Sequence, residues 1–268
     1  MSRVPPWPDD LIGNLLAEFA DADTIGMLLA GSHARGDATP YSDIDLIRFA
    51  PVLPEADADR YTLAYREGHL VSVSTTTVDA KRAELSRPET AIWVVPGLRQ
   101  ARILLDRDGA LAALLHHAQA FRWEPLQTAA DAYASYEVMG LAEEVHKVLG
   151  ALGCNDESTA LYATWGLASG LIRAVTVQRG VLIQTENAYF RQVQEAAGLD
   201  SAWSCAFRIA VGLEMAPVTA RAIAALRLYH ETAMLLSSAL QAQHLPVIRG
   251  ALARIRASGL MREDERGI

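Results

Sequence analysis

Apolar and polar positions alternate along this chain with two different periods, and the change of period divides it. In the first part the pattern is mixed. Residues 8 to 22 place Leu11, Leu15, Leu16 and Phe19 at helical spacing, with Asp9 or Asp10 as the cap. Residues 24 to 31 form a short apolar run read as a buried strand. A second strand follows from Asp43 to Ala50, ended by Pro51 and Pro54. The segments 61 to 66 and 69 to 78 read as two strands joined by a tight turn at Glu67 and Gly68. A short helix is expected at VDAKRAEL. Beyond it come a helix or loop around Trp93, a turn at Pro96 and Gly97, a strand at ARILLD and a helix over 110 to 122. After Pro125 the period is helical almost throughout, over 128 to 152, 157 to 179, 186 to 197, 201 to 213, 216 to 242 and 245 to 258. Those apolar stripes require one another, so the second half is expected to pack as a bundle. The fold class is therefore α+β, a small mixed sheet with flanking helices over 1 to 124 and a helical domain over 125 to 268.

The stretch GSHARGDATPYSDID, residues 31 to 45, breaks the scaffold pattern and carries the candidate chemistry. Gly31 can take backbone conformations closed to other residues, and Ser32 offers a hydroxyl at an expected helix start. Free amides at such a start attract phosphate. Arg35, one turn on, is a fork of donors suited to a phosphate. In SDIDLIRF, Asp43 and Asp45 alternate with Ile44 and Leu46, so a strand puts both carboxylates on one face and both aliphatics on the other. Such hard oxygen ligands suit Mg²⁺, which completes its shell with phosphate oxygens and water. Two such ions roughly 4 Å apart can clamp the attacking and leaving oxygens of an in-line phosphoryl displacement.

Taken together, the Gly-Ser turn, the Ala-Arg-Gly that follows it and the Ser-Asp-x-Asp resemble the DNA polymerase β type nucleotidyltransferase superfamily. The chain is most similar to its kanamycin (aminoglycoside) group, through TPYSDID at Thr39 to Asp45. The resemblance implies Mg²⁺-dependent transfer of a nucleoside monophosphate, AMP from ATP foremost, to a hydroxyl of a small molecule, with release of pyrophosphate. It implies nucleotide binding by Gly31, Ser32, Arg35 and Ser42, metal binding by Asp43 and Asp45, and a homodimer. It also implies a glutamate base on the first helix of the second domain. Glu144 lies at the edge of the apolar face formed by Val138, Leu141, Val145, Val148 and Leu152 and is taken as that base. A register that puts Lys147 at the position stays open, and Glu143 reads as a surface partner of Lys147. The superfamily usually adds a third carboxylate on the strand beside the Asp-x-Asp pair. Strand 69 to 78 has Ser72 and Ser74 instead, leaving Glu67 and Asp79 as the nearest acids and His69 as a weaker ligand candidate. That departure keeps a second possibility in view, a nucleotide binder without catalysis. A third keeps the chemistry and makes the acceptor a protein side chain.

Composition adjusts this picture in three ways. A formal charge of −8 over 268 residues, with no basic stripe, argues against a nucleic-acid partner and suits a cationic small molecule. Cys154 and Cys205 stand apart from each other and from any histidine cluster, so neither a zinc site nor a disulfide framework is expected. No apolar run has the length of a membrane span and the first residues lack an apolar signal core, so a cytoplasmic protein is expected.

Overall fold

In the computed structural model the described residues are 10–261, and they divide into two compact units, residues up to Arg122 and residues from Trp123. The N-terminal unit holds a five-stranded sheet of β1 (Gly26–Ala30), β2 (Ile44–Phe49), β3 (Tyr61–Arg66), β4 (His69–Thr76) and β5 (Arg102–Asp106). Their spatial order is β3-β4-β2-β1-β5. Only the β2 and β4 pair is parallel; the other neighbours run antiparallel. β3 and β4 are joined through Glu67 and Gly68, both left-handed at φ 50 and 83, the conformation that a two-residue hairpin matched to strand twist requires.

The period-two pattern resolves into two faces. Met27 and Leu29 of β1, Ile44 and Leu46 of β2 and Val71 and Val73 of β4 line one face. There they pack with Leu11 and Leu15 of α1 (Leu11–Phe19) into one core cluster. Each fully buried aliphatic side chain of this kind contributes about 1.5 to 3 kcal/mol relative to exposure. Asp10 is the N-terminal cap residue of α1, although its side chain makes no capping bond; Asp9 lies outside the described residues. Asp45 belongs to the other face, where its cross-strand partners are Ala30 and Ser72.

Helices α2 (Gly31–Arg35), α3 (Val78–Leu85), α4 (Pro88–Gln100) and α5 (Ala110–Gln119) complete the unit. α4 corrects the turn expected at Pro96 and Gly97, because the helix runs through both residues. Pro96 lacks the N–H that would bond back one turn. It is nevertheless buried together with Ala91, Ile92, Val95 and Leu98, and that packing outweighs the local preference.

The second unit is helical, as its pattern predicts. It comprises α6 (Gln127–Gly140), α7 (Ala142–Cys154), α8 (Glu157–Gln178), α9 (Tyr189–Ala197), α10 (Ala202–Val211), α11 (Val218–Leu235) and α12 (Leu245–Ala257). α8 is its central element, packed against α6, α7, α10 and α11. Among the described residues α8 is also the one helix long and apolar enough to cross a membrane. Because 67% of its apolar window is buried among its own neighbours, those properties are accounted for by a core helix. The helix expected over 128 to 152 is two helices that meet at Leu141. A side chain on Gly170 of α8 would come within 2.7 Å of Leu141, so this junction lies directly on α8. Shorter corrections fall at α11, which stops at Leu235, and at α9, which is preceded by a 3₁₀ turn at Glu186–Ala188.

Candidate active site

β1 runs into α2 with no intervening loop, and the register of the sheet brings that junction beside Asp45. Ala30, the last residue of β1, is opposite Asp45 of β2. Gly31 then turns with φ +64, and a Cβ built on it would stand 2.0 Å from Asp45 Oδ2. Only glycine allows both the left-handed backbone and the close approach. On the other flank, the Ser72 hydroxyl of β4 donates to Asp45 Oδ1 at 2.9 Å. The Asp45 carboxylate is therefore bounded by a backbone turn on one side and a serine on the other.

Asp43 precedes β2 by one residue, and Asp43 and Asp45 are both half-buried. Burial raises the Asp45 carboxyl above the ordinary aspartate range. The Ser72 hydrogen bond opposes this, the Asp43 charge adds to it, and His33 and Arg35 oppose it more weakly. A pair of partly desolvated carboxylates is a hard, anionic oxygen donor set, and it fits a divalent cation of the Mg²⁺ type.

His33, the third residue of GSHARG, was not singled out by sequence reasoning. Burial lowers the affinity of its imidazole for a proton, while a hydrogen bond to the backbone of Ser42 acts the other way. His69, Asp45 and Asp43 are all close enough to be felt electrostatically. The ring thus links α2 to the segment that delivers Asp43. Its position two residues after Gly31 was the only available sequence signal, and nothing local distinguishes it from a surface histidine.

The remaining predicted residues take specific places. Ser32 does not cap α2: the cap residue is Ala30, no side chain caps the helix, and the Ser32 carbonyl accepts from Gly36 and Asp37 at 2.9 and 3.1 Å. Arg35 is 19% exposed, and its Nε binds the Asp37 carboxylate at 3.1 and 3.2 Å, beside the site and not unattached within it. Ser42 shapes the loop, its Oγ accepting from the Thr39 N–H at 2.9 Å and its N–H donating to the Thr39 carbonyl at 3.0 Å. Neither alternative acid joins Asp45. The Glu67 carboxylate binds Asn14 of α1, on the opposite face of the sheet, and Asp79 is exposed and faces Arg82.

In the helical unit, Glu144 lies in the first turn of α7. Its Oε1 accepts from Lys147 at 2.6 Å, so Lys147 pairs with Glu144 at i,i+3 and not with Glu143 as expected. Its Oε2 is buried without a hydrogen-bond partner, next to Gly166 of α8.

The chain is similar to known proteins in sequence and in fold. A family model described as a nucleotidyltransferase domain matches residues 12–94. A protein of Methanocaldococcus jannaschii named "Putative protein adenylyltransferase MJ1305" is 30% identical over 115 residues, covering 37% of this chain and 76% of that protein. The crystal structure of a nucleotidyltransferase-like protein from Exiguobacterium sibiricum 255-15 is similar in fold. Its TM-score is 0.51 at 15% identity, over 94% of this chain and 79% of that one, and at that identity the likeness concerns the fold alone.

Proposed function

The chain belongs to the nucleotidyltransferase family, and from that premise we propose that it moves AMP from ATP to a hydroxyl of a small molecule such as an aminoglycoside-like antibiotic, releasing pyrophosphate. A nucleoside triphosphate is the co-substrate of the family. The observation that carries the reading is the convergence of the Gly31 turn on Asp45, with Asp43 beside it. This joins a close-approach backbone turn to a paired-carboxylate site.

In this reading the acceptor oxygen forms a bond to the α-phosphorus, the bond from that phosphorus to the bridging oxygen of the β-phosphate breaks, and pyrophosphate leaves. Asp43 and Asp45 would hold Mg²⁺, which supplies charge stabilisation for the phosphoryl oxygens when bound. Gly31 and Ser32 present backbone to the triphosphate, and Ser42 fixes the loop that leads to Asp43. Arg35 steadies a phosphate once its guanidinium turns from Asp37. The acceptor proton is assigned to Glu144, whose Oε1 holds Lys147 while Oε2 carries no hydrogen-bond partner. The formal charge of −8 supports a cationic acceptor, and the proposal includes a homodimer, to be read by sedimentation.

The test is pyrophosphate release from each of the four nucleoside triphosphates with Mg²⁺, against aminoglycosides, lincosamides and simple amino-sugars. Release that needs one acceptor and disappears in Asp45→Asn is expected. Silence across the panel with nucleotide binding retained would sink the small-molecule reading. The name of the M. jannaschii relative favours a second reading, in which the acceptor is a protein side chain. It predicts that α-labelled ATP marks a protein band and no small molecule.

A further inference from the structure

Ser72 stands opposite Asp45 in the parallel β2 and β4 pair, is 8% exposed and donates its proton to Asp45 Oδ1 at 2.9 Å. Oδ2 lies on the Gly31 side, so the hydrogen bond from Ser72 holds one oxygen of the carboxylate and the turn bounds the other. A serine that donates its proton holds a carboxylate in place and adds no charge. The next β4 side chain of the same parity, Ser74, is also neutral. Among the described residues, no three or more Asp, Glu, His or Cys side chains are grouped to share a metal ion. Among the described residues the anionic contribution at this point of the sheet is then Asp43 and Asp45, two charges, which balance one divalent cation. A second cation about 4 Å away would meet the repulsion of the first without another protein carboxylate to offset it.

We propose that, within the nucleotidyl-transfer reading on which this rests, the protein by itself holds one divalent cation at Asp43 and Asp45. Ser72 sets that number by occupying the β4 position from which an acid would hold a second. A second cation, where the reaction uses one, enters and leaves with the triphosphate. Ser72 is a positioning residue, acting through Asp45.

The experiment titrates the full chain with Mn²⁺ alone, without nucleotide, counting free Mn²⁺ by electron paramagnetic resonance. The wild type is expected to bind one Mn²⁺, and Asp45→Asn to weaken that binding at least tenfold. Ser72→Ala should bind one Mn²⁺ several-fold more weakly with an unchanged circular dichroism spectrum, and Ser72→Thr should restore the affinity. Ser72→Asp should bind two. Two ions on the wild type, an unchanged affinity in Ser72→Ala, or a single ion on folded Ser72→Asp would each overturn the inference. Wild type that binds no Mn²⁺ alone also overturns it. If that protein still releases pyrophosphate with Mg²⁺ and a triphosphate, the transfer reading stands while the one-cation inference falls. If it does not, both fall.

Discussion

Replacing Gly31 by alanine tests the central contact of the site, because two separate costs meet at that residue. The first is conformational: φ is +64, and a left-handed backbone costs an L-residue with a Cβ about 1 to 2 kcal/mol. The second is steric. The new methyl would lie 2.0 Å from Asp45 Oδ2, where real Cβ contacts essentially never fall below 3.0 Å, so the turn or the carboxylate has to give way. Relief of such overpacking costs about 1 to 3 kcal/mol, for a total of about 2 to 5 kcal/mol. The functional cost is expected to be larger, since a misplacement of about 1 Å can lower a rate about 10²-fold. Gly36→Ala is the internal control: φ there is +82, but nothing lies within 4 Å of the added Cβ, so it carries the conformational cost alone. Urea denaturation of both variants, with pyrophosphate release measured in parallel, separates the two terms. Gly31→Ala with kcat/KM within threefold of wild type would refute the reasoning, as would a stability loss no greater than that of Gly36→Ala.

Three further outcomes follow from the same structure. Asp45 binds its proton more tightly in the folded state than in the unfolded one, because burial of the carboxylate outweighs the Ser72 hydrogen bond that favours its charged form. Its ionisation therefore destabilises the fold as pH rises from the ordinary aspartate value through the raised one, and the cost persists above it. Asp45→Asn should accordingly raise the Tm at pH 7 while abolishing transfer, with the gain fading as pH falls through the raised value and absent below about 3.9, the ordinary aspartate pKa; a lower Tm at pH 7 would show that the charge is compensated. Glu144→Gln should leave the Tm nearly unchanged and reduce kcat about 10² to 10⁴-fold if Glu144 is the base, and a loss under threefold would remove it from that role. Gly170→Ala would press on Leu141, whose Cδ atoms lie 2.7 and 2.8 Å from the added Cβ, and should cost about 1 to 3 kcal/mol in urea; an unchanged midpoint would mean that the leucine swings aside freely.

Some of this protein is written locally in its sequence. The alternation of Asp43, Ile44, Asp45 and Leu46 specifies the two faces of β2, since a strand has a period of two wherever it is placed. The Glu67-Gly68 hairpin and the long helical half are legible for the same reason, each depending on residues within a turn or two. Other features depend on pairings across long separations in the chain. Ser72 meets Asp45 across 27 residues, through the parallel register of β2 with β4, and no local pattern records that register. The approach of Gly31 to Asp45 follows from the antiparallel register of β1 with β2, which sets Ala30 opposite Asp45 and brings His33 of α2 near the two aspartates. Pro96 stays helical, and α6 gives way to α7 at Leu141, because surrounding side chains outweigh the local signals. Lys147 had carboxylates within reach at both i−3 and i−4, and only the folded helix surface selected Glu144. The sequence by itself determined which residues carry charge, turn or apolar surface, since these are properties of single side chains and their nearest neighbours. The tertiary structure decided which of them meet, because strand register and core packing are settled by contacts between segments far apart in the chain.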